Sequence, residues 1–261
     1  PPTLLQTADC RPPTDPSGRP AALALSWGRM TLDEFEQLAK SRRAVRRFKP
    51  DPLPEGLLQR LLAVAHWAPS GYNLQPTHYV VVTDPQRKQA LRSACFWQKQ
   101  ITEAPATVVF TGDKHCYRNN FERMIECERQ AGAMHEKYEQ SLRKFVPLAF
   151  ETGPMGLGWL WKCGAPLMGC VQPVPSIPAV QRRCWLAKQV MLCAMNFMLA
   201  AKAAGLGTVP MEGFDERRVR RVLGIPRSQV VVLVVPVGYP DDQELKRTRL
   251  PVEEFVHWEQ W

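Results

Sequence analysis

At 261 residues, 45% apolar and 23% charged, the chain has the length for a substantial core and the composition of an ordinary soluble globular protein. Its formal charge of +9 points to an anionic ligand, nucleic acid or a membrane surface. Eight cysteines without a CxxC pair or tight Cys/His spacing speak against a zinc site or a disulfide framework and for a reducing, cytoplasmic compartment, and no metal is expected.

Residues 1–29, proline-rich and poor in apolar anchors, are expected to form a flexible tail, with 30–261 one α+β domain without repeat or linker. "AALALSW" is too short and lacks the basic flank of a signal peptide, and the apolar window from Pro154 to Pro175 is broken by Lys162, prolines and glycines. "TLDEFEQLAKSRR" opens with a capping box, Thr31 with Glu34, and predicts a helix. A second helix follows "DPLPEG", with Pro54 in its first turn and Leu57, Leu58, Leu61, Leu62 and Ala65 on its buried face. The β-branched runs 78–84 and 106–112 read as interior strands, with a helix between them.

Residues 119–145 form a charged amphipathic helical stretch carrying Phe121, Met124, Ile125, Met134 and Tyr138, and 153–180 is irregular and rich in Pro, Gly and Trp. The longest and most apolar helix spans 184–207, apolar nearly all round and suited to a central or interface position. "TVPMEGFDE" follows. Gly205 stops the helix, Pro210 and Gly213 make a turn and Asp215 caps a short basic helix, which leaves Glu212 unexplained. The strongest strand, "QVVVLVVPVG", spans 229–238.

Three clusters carry candidate chemistry. "RRAVRRF" at 42–48 reads either as a solvated helix end or as a guanidinium pocket for phosphate. "APSGYNLQP" at 68–76 makes a turn but does not require Asn73, whose amide offers a donor and an acceptor to a heterocycle edge. "KRTRLP" at 246–251 taken alone is a solvated tail.

In order and company these motifs resemble the FMN-dependent nitroreductase family, of the oxygen-insensitive NAD(P)H type, over roughly 30–251. The resemblance rests on Arg42, Arg43, Ala44, Arg46 and Phe48; on Pro69, Ser70, Asn73, Gln75 and Pro76; on Gly205, Leu206 and "PMEGFD"; and on "VPVG" followed by Arg247, Arg249, Leu250 and Pro251. It implies a mostly antiparallel sheet flanked by helices, in an intertwined homodimer with FMN at the interface. Residues 113–183 would be the roof over the flavin.

The same resemblance distributes roles. Arg42, Arg43, Arg247 and Arg249 would hold the FMN phosphate, with Ala44 beside them, and Arg46 would face the N1/O2 edge, where the reduced flavin is negative. Asn73 would read the pyrimidine edge, and Pro69 and Ser70 would come from the partner chain. Pro210, Met211, Glu212 and Gly213 would bring main chain to the ring, the Glu212 N–H meeting flavin N5. NADH or NADPH would deliver hydride in a ping-pong cycle to a nitroaromatic, quinone or similar acceptor, with no protein nucleophile. Phe121 would touch this substrate.

Ala44 replaces the family's usual Ser, and Thr77 stands where Trp is common. The stretch 153–180 matches no family element, so the acceptor stays open between these compounds and reductive dehalogenation or substrate dehydrogenation. A basic, non-enzymatic nucleic-acid-binding or interaction protein is the alternative from another class. It lacks a legible nucleic-acid motif or aromatic platform.

Overall fold

The computed structural model describes residues 30–151, Gly164, 181–241 and 248–261. Helix α1 (Leu32–Ser41) starts on the capping box expected from the sequence: the Thr31 hydroxyl accepts from the Glu34 N–H, and the Glu34 carboxylate accepts from the Thr31 N–H. Helix α2 (Leu57–His66) starts later than expected. Gly56, left-handed at φ 76°, takes the N-cap, and Pro54 stays outside with its carbonyl accepting from the Leu57 N–H at 3.1 Å.

Strand β1 (Thr77–Val82), helices α3 (Pro85–Ala94) and α4 (Gln100–Glu103) and strand β2 (Ala106–Asp113) follow. The stretch 119–145 is two helices, α5 (Cys116–Gln130) and α6 (Glu136–Phe150), because Gly132 at φ 68° reverses the chain between them. Helix α7 (Arg182–Ala203), strand β3 (Gly207–Thr208), helix α8 (Glu216–Leu223) and strand β4 (Gln229–Gly238) complete the frame.

The four strands form one antiparallel sheet in the order β1-β2-β4-β3. Strand β4, the most apolar run, lies inside it, paired on both sides. Strand β1, expected to be interior, is at the edge of the described sheet, with His78 and Val81 exposed. Because successive strand residues face opposite ways, Val109 and Val234 point to a layer made by α3 and α8, and Phe110 and Leu233 to one made by α2 and α7. The first layer gathers Leu91, Ala94 and Val219, the second Leu61, Ala65, Val190 and Phe197. Phe110 and Phe197 meet edge-on with centroids 5.5 Å apart.

Helix α7 has the length and apolar composition to cross a membrane, yet Leu186, Val190, Ala194, Phe197 and Ala201 are buried within the fold. Its other side leaves Leu192 and Met195 exposed. Helices α5 and α6 form a third cluster with Leu74, Phe150 and Trp185. Cys95, Cys116, Cys184 and Cys193 are free, whereas Cys127 is disulfide-bonded, against the expectation drawn from cysteine spacing.

The end of α7 sets up the site. Gly205, at φ 74°, stops the helix, and Gly207 lets Ala44 and Val45 run against β3. A β-carbon at Gly207 would lie 2.5 Å from the Val45 side chain. Gly207→Ala is therefore expected to destabilise the fold by about 1–3 kcal/mol, read by urea unfolding. An unchanged midpoint would show that Val45 can move aside.

Candidate functional site

The chain leaves α1 in extended conformation at Arg42 and crosses the sheet edge. The Val45 N–H donates to the Thr208 carbonyl at 3.0 Å and the Lys49 N–H to the Tyr239 carbonyl at 2.9 Å. Val45 and Phe48 are buried as anchors, so Ala44, Arg46 and Arg47 are left on the surface. Arg42 and Arg43 line a cavity of about 970 Å³ together with Lys40, Ala44, Thr248 and Arg249. An adjoining cavity of about 240 Å³ is lined by Arg42 and Arg43, by Lys202 of α7 and by the chain from Gly205 to Thr208.

Two clusters far apart in sequence, 42–44 and 248–249, thus meet. The Arg249 guanidinium donates to the Thr248 carbonyl at 2.7 Å, and that of Arg43 to the Ala44 carbonyl at 3.4 Å. Arg247 lies outside the described residues. Reading clusters along the chain misses Lys202, although its position one turn before Gly205 is a signal.

Past β3 the Val209 N–H still donates to the Pro236 carbonyl at 3.3 Å, and the chain meets the sheet again at Met211. Its N–H donates to the Val234 carbonyl at 2.9 Å, and its carbonyl accepts from the Val234 N–H at 3.1 Å. The turn that follows is pinned at several points. The Phe214 N–H donates to the Glu212 carbonyl at 3.0 Å, the Gln98 side-chain amide to the Gly213 carbonyl at 3.0 Å, and the Asp215 N–H to the Ala94 carbonyl at 2.8 Å. The Asp215 carboxylate caps α8, accepting from the N–H groups of Arg217 and Arg218.

Among the described residues nothing accepts from the N–H of Glu212 or of Gly213, and both residues are exposed. Two adjacent main-chain donors on a pinned turn form a ready hydrogen-bonding site. The Glu212 carboxylate likewise has no hydrogen-bond partner among them. Gly213 is not left-handed; a β-carbon there would come 3.3 Å from the Gln98 amide nitrogen, so close approach, not positive φ, asks for glycine.

The segment 68–76 is held elsewhere. Tyr72, Asn73 and Gln75 all take positive φ, and the Gly71 N–H donates to the Gln189 side chain of α7 at 2.7 Å. The Ser70 hydroxyl accepts from the Gln75 N–H at 2.9 Å, and Pro69 is exposed. Asn73 donates to the Glu128 carboxylate at 2.8 Å and accepts from the Gln75 amide at 3.1 Å. It lines a separate cavity of about 630 Å³ with His66, His78 and Arg123, so within one chain it does not join the arginine cavity.

Phe121 is not placed as expected. It is 4% exposed, packed in the α5–α6 cluster with its ring 5.3 Å from that of Tyr117, and its ring serves that core. Trp185 packs edge-on against Phe150 at 5.0 Å, and Trp159 and Trp161 lie outside the described residues. Burial pushes the thiols of Cys95 and Cys116 up to about 12, so neither supplies a thiolate nucleophile near neutrality.

Cationic side chains gathered at one end of an antiparallel sheet, with main-chain donors a few residues further on, have the chemistry to hold an anionic ligand. The chain belongs to the nitroreductase family, whose model matches residues 39–239, and is an oxidoreductase of that family. It is 34% identical over 221 residues to an NADH dehydrogenase of Thermus thermophilus, covering 84% of this chain and 93% of that one. An iodotyrosine deiodinase of Thermotoga neapolitana is 30% identical over 212 residues, 81% and 91% of the two chains. The crystal structure of a nitroreductase-like protein from Streptococcus mutans matches with a TM-score of 0.69 at 26% identity, over 87% of this chain and 98% of that one. The expected architecture, an antiparallel sheet flanked by helices, is the one observed.

Proposed function

We propose that the chain is an FMN-dependent NAD(P)H oxidoreductase that acts as a homodimer on a small-molecule acceptor. The observation that carries this reading is the pair of main-chain donors at Glu212 and Gly213, close in sequence to the strand that lines the arginine cavity. A phosphate with nearly two negative charges suits the guanidinium forks of Arg42, Arg43 and Arg249, with Arg247 added to them. A ring nitrogen accepting one hydrogen bond suits the Glu212 N–H.

FMN, when bound, supplies the hydride chemistry between NAD(P)H and the acceptor. The chain supplies position and charge. The Glu212 N–H is aimed by a turn held at Met211, Gly213 and Asp215, and unlike a side-chain acid it does not titrate. Arg46, held on the surface between the anchors Val45 and Phe48, would set a fixed positive charge at the N1/O2 edge. Pro69 and Ser70 would come from the second chain, and Asn73 with them, which agrees with its separation from the arginine cavity here.

A second copy has a surface to cover. Phe35, Leu38, Val64, Trp67 and Leu199 line an apolar cavity of about 540 Å³ between α1, α2 and α7, and Trp67 is 88% exposed. The purified protein is expected to be yellow, to bleach with NADH or NADPH without oxygen, and to recolour with a nitroaromatic or a quinone. A halogenated phenol belongs in the same acceptor series, because one relative is a deiodinase. Light scattering is expected to give a dimer across micromolar dilution. A colourless protein that takes up no FMN would sink the flavin reading, and a monomer that holds FMN tightly would sink the dimer.

A further inference from the structure

We infer that Gln98 is a positioning residue: its side-chain amide fixes the Gly213–Phe214 peptide and, through the Phe214-to-Glu212 bond, the Glu212–Gly213 peptide, and so keeps the Gly213 N–H aimed outward. This rests on the function proposed above. The tight reversal after α3 is unusual. Phe96 and Trp97 are consecutive non-glycine residues with φ 52° and 60°, in the left-handed region that bulky side chains avoid. Such strain persists only where the surroundings impose it and collects at functional sites.

Here the surroundings are explicit. The Trp97 N–H donates to the Arg92 carbonyl at 2.9 Å, and the Arg92 side chain donates back to the Trp97 carbonyl at 3.1 Å, its guanidinium 5.9 Å from the Trp97 ring centre. The Gln98 N–H donates to the carbonyl of the buried Cys95 at 3.2 Å. The reversal therefore has a rigid base, and what it delivers is the Gln98 amide, 3.0 Å from the Gly213 carbonyl. The gap beside Gly213 leaves no room for a β-carbon without moving that amide.

The turn is otherwise held by Met211, whose carbonyl bond to β4 already fixes the Glu212 N–H, and by Asp215 on α3, which leaves the Glu212–Gly213 and Gly213–Phe214 peptides between them to rotate together. Gln98 is the one side chain among the described residues that bonds to those peptides. Fixing the Gly213 carbonyl also fixes the short Phe214-to-Glu212 bond beside it. Both carbonyls are then occupied, and among the described residues the Gly213 N–H is the unpaired end that remains.

Gln98→Met keeps length and loses the donor, whereas Gln98→Lys keeps a donor. Hydrogen exchange on the protein without added flavin is expected to show the Phe214 amide opening about fivefold faster in Gln98→Met, the scale of one neutral hydrogen bond, and near wild type in Gln98→Lys. With FMN bound, Gln98→Met is expected to slow flavin reduction by NAD(P)H about tenfold at unchanged KM and to shift the flavin's visible bands; Gln98→Lys is expected to restore both. Wild-type exchange and reduction in Gln98→Met, or a Gln98→Lys protein no better than Gln98→Met, overturns the assignment. The exchange arm needs no cofactor, so failure to bind FMN would count against the proposed function and leave this test standing.

Discussion

Arg42→Ala and Arg249→Ala are each expected to weaken FMN binding by about ten- to a hundredfold, since each removes one guanidinium from a phosphate that then keeps an uncompensated charge. Both side chains line the same cavity, from opposite ends of the chain. Arg42 is half-buried and Arg249 is exposed, so the loss falls short of what a fully buried pair would show, and it should be larger for Arg42. The wild-type affinity is expected to fall with added salt, and the variants to show a shallower fall. Titration of flavin-free protein with FMN, followed by fluorescence quenching, reads the effect. Unchanged affinity in both variants would place the phosphate elsewhere.

Glu212→Gln and Glu212→Pro separate side chain from main chain at the second pole of the site. Gln keeps the N–H and the size, and the carboxylate it removes has no described partner. Reduction of bound FMN by NAD(P)H is therefore expected to stay near wild type. Proline deletes the N–H, and an electrostatic donor aimed at a reacting atom is worth about 10²–10³-fold. The restriction that proline places on the residue before it falls on Met211, which is already extended in its bridge to Val234. Stopped-flow reduction measures the difference, with FMN occupancy and far-ultraviolet dichroism as controls. A carboxylate acting as acid or base would show a loss of about 10²–10⁴-fold in Glu212→Gln, and that result would overturn the main-chain assignment.

Much of this protein is written locally. The Thr31–Glu34 box, the Gly205 stop and the Asp215 cap act within a turn of where they stand, so the boundaries they set are legible in the chain. Strand β4 is legible because ten residues of almost unbroken apolar character fit a strand covered on both faces. The motifs around Arg42, Asn73, Glu212 and Arg249 are equally visible, since each is a short run.

What tertiary structure decided was which runs meet. Burial of Phe121 depends on α6 folding back at Gly132, and an amphipathic pattern does not distinguish a side facing the core from one facing a ligand. The edge position of β1 depends on strand pairing, because a β-branched run reads alike at an edge and in a centre. Lys202 joins Arg42, and Asn73 parts from it, only because α7 packs across the sheet. The bond from Gln98 to Gly213 spans 115 residues, and that from Gly71 to Gln189 spans 118. No local rule carries such pairs. They exist because the sheet closes on apolar area, a force without direction, and polar groups brought within reach must then find partners.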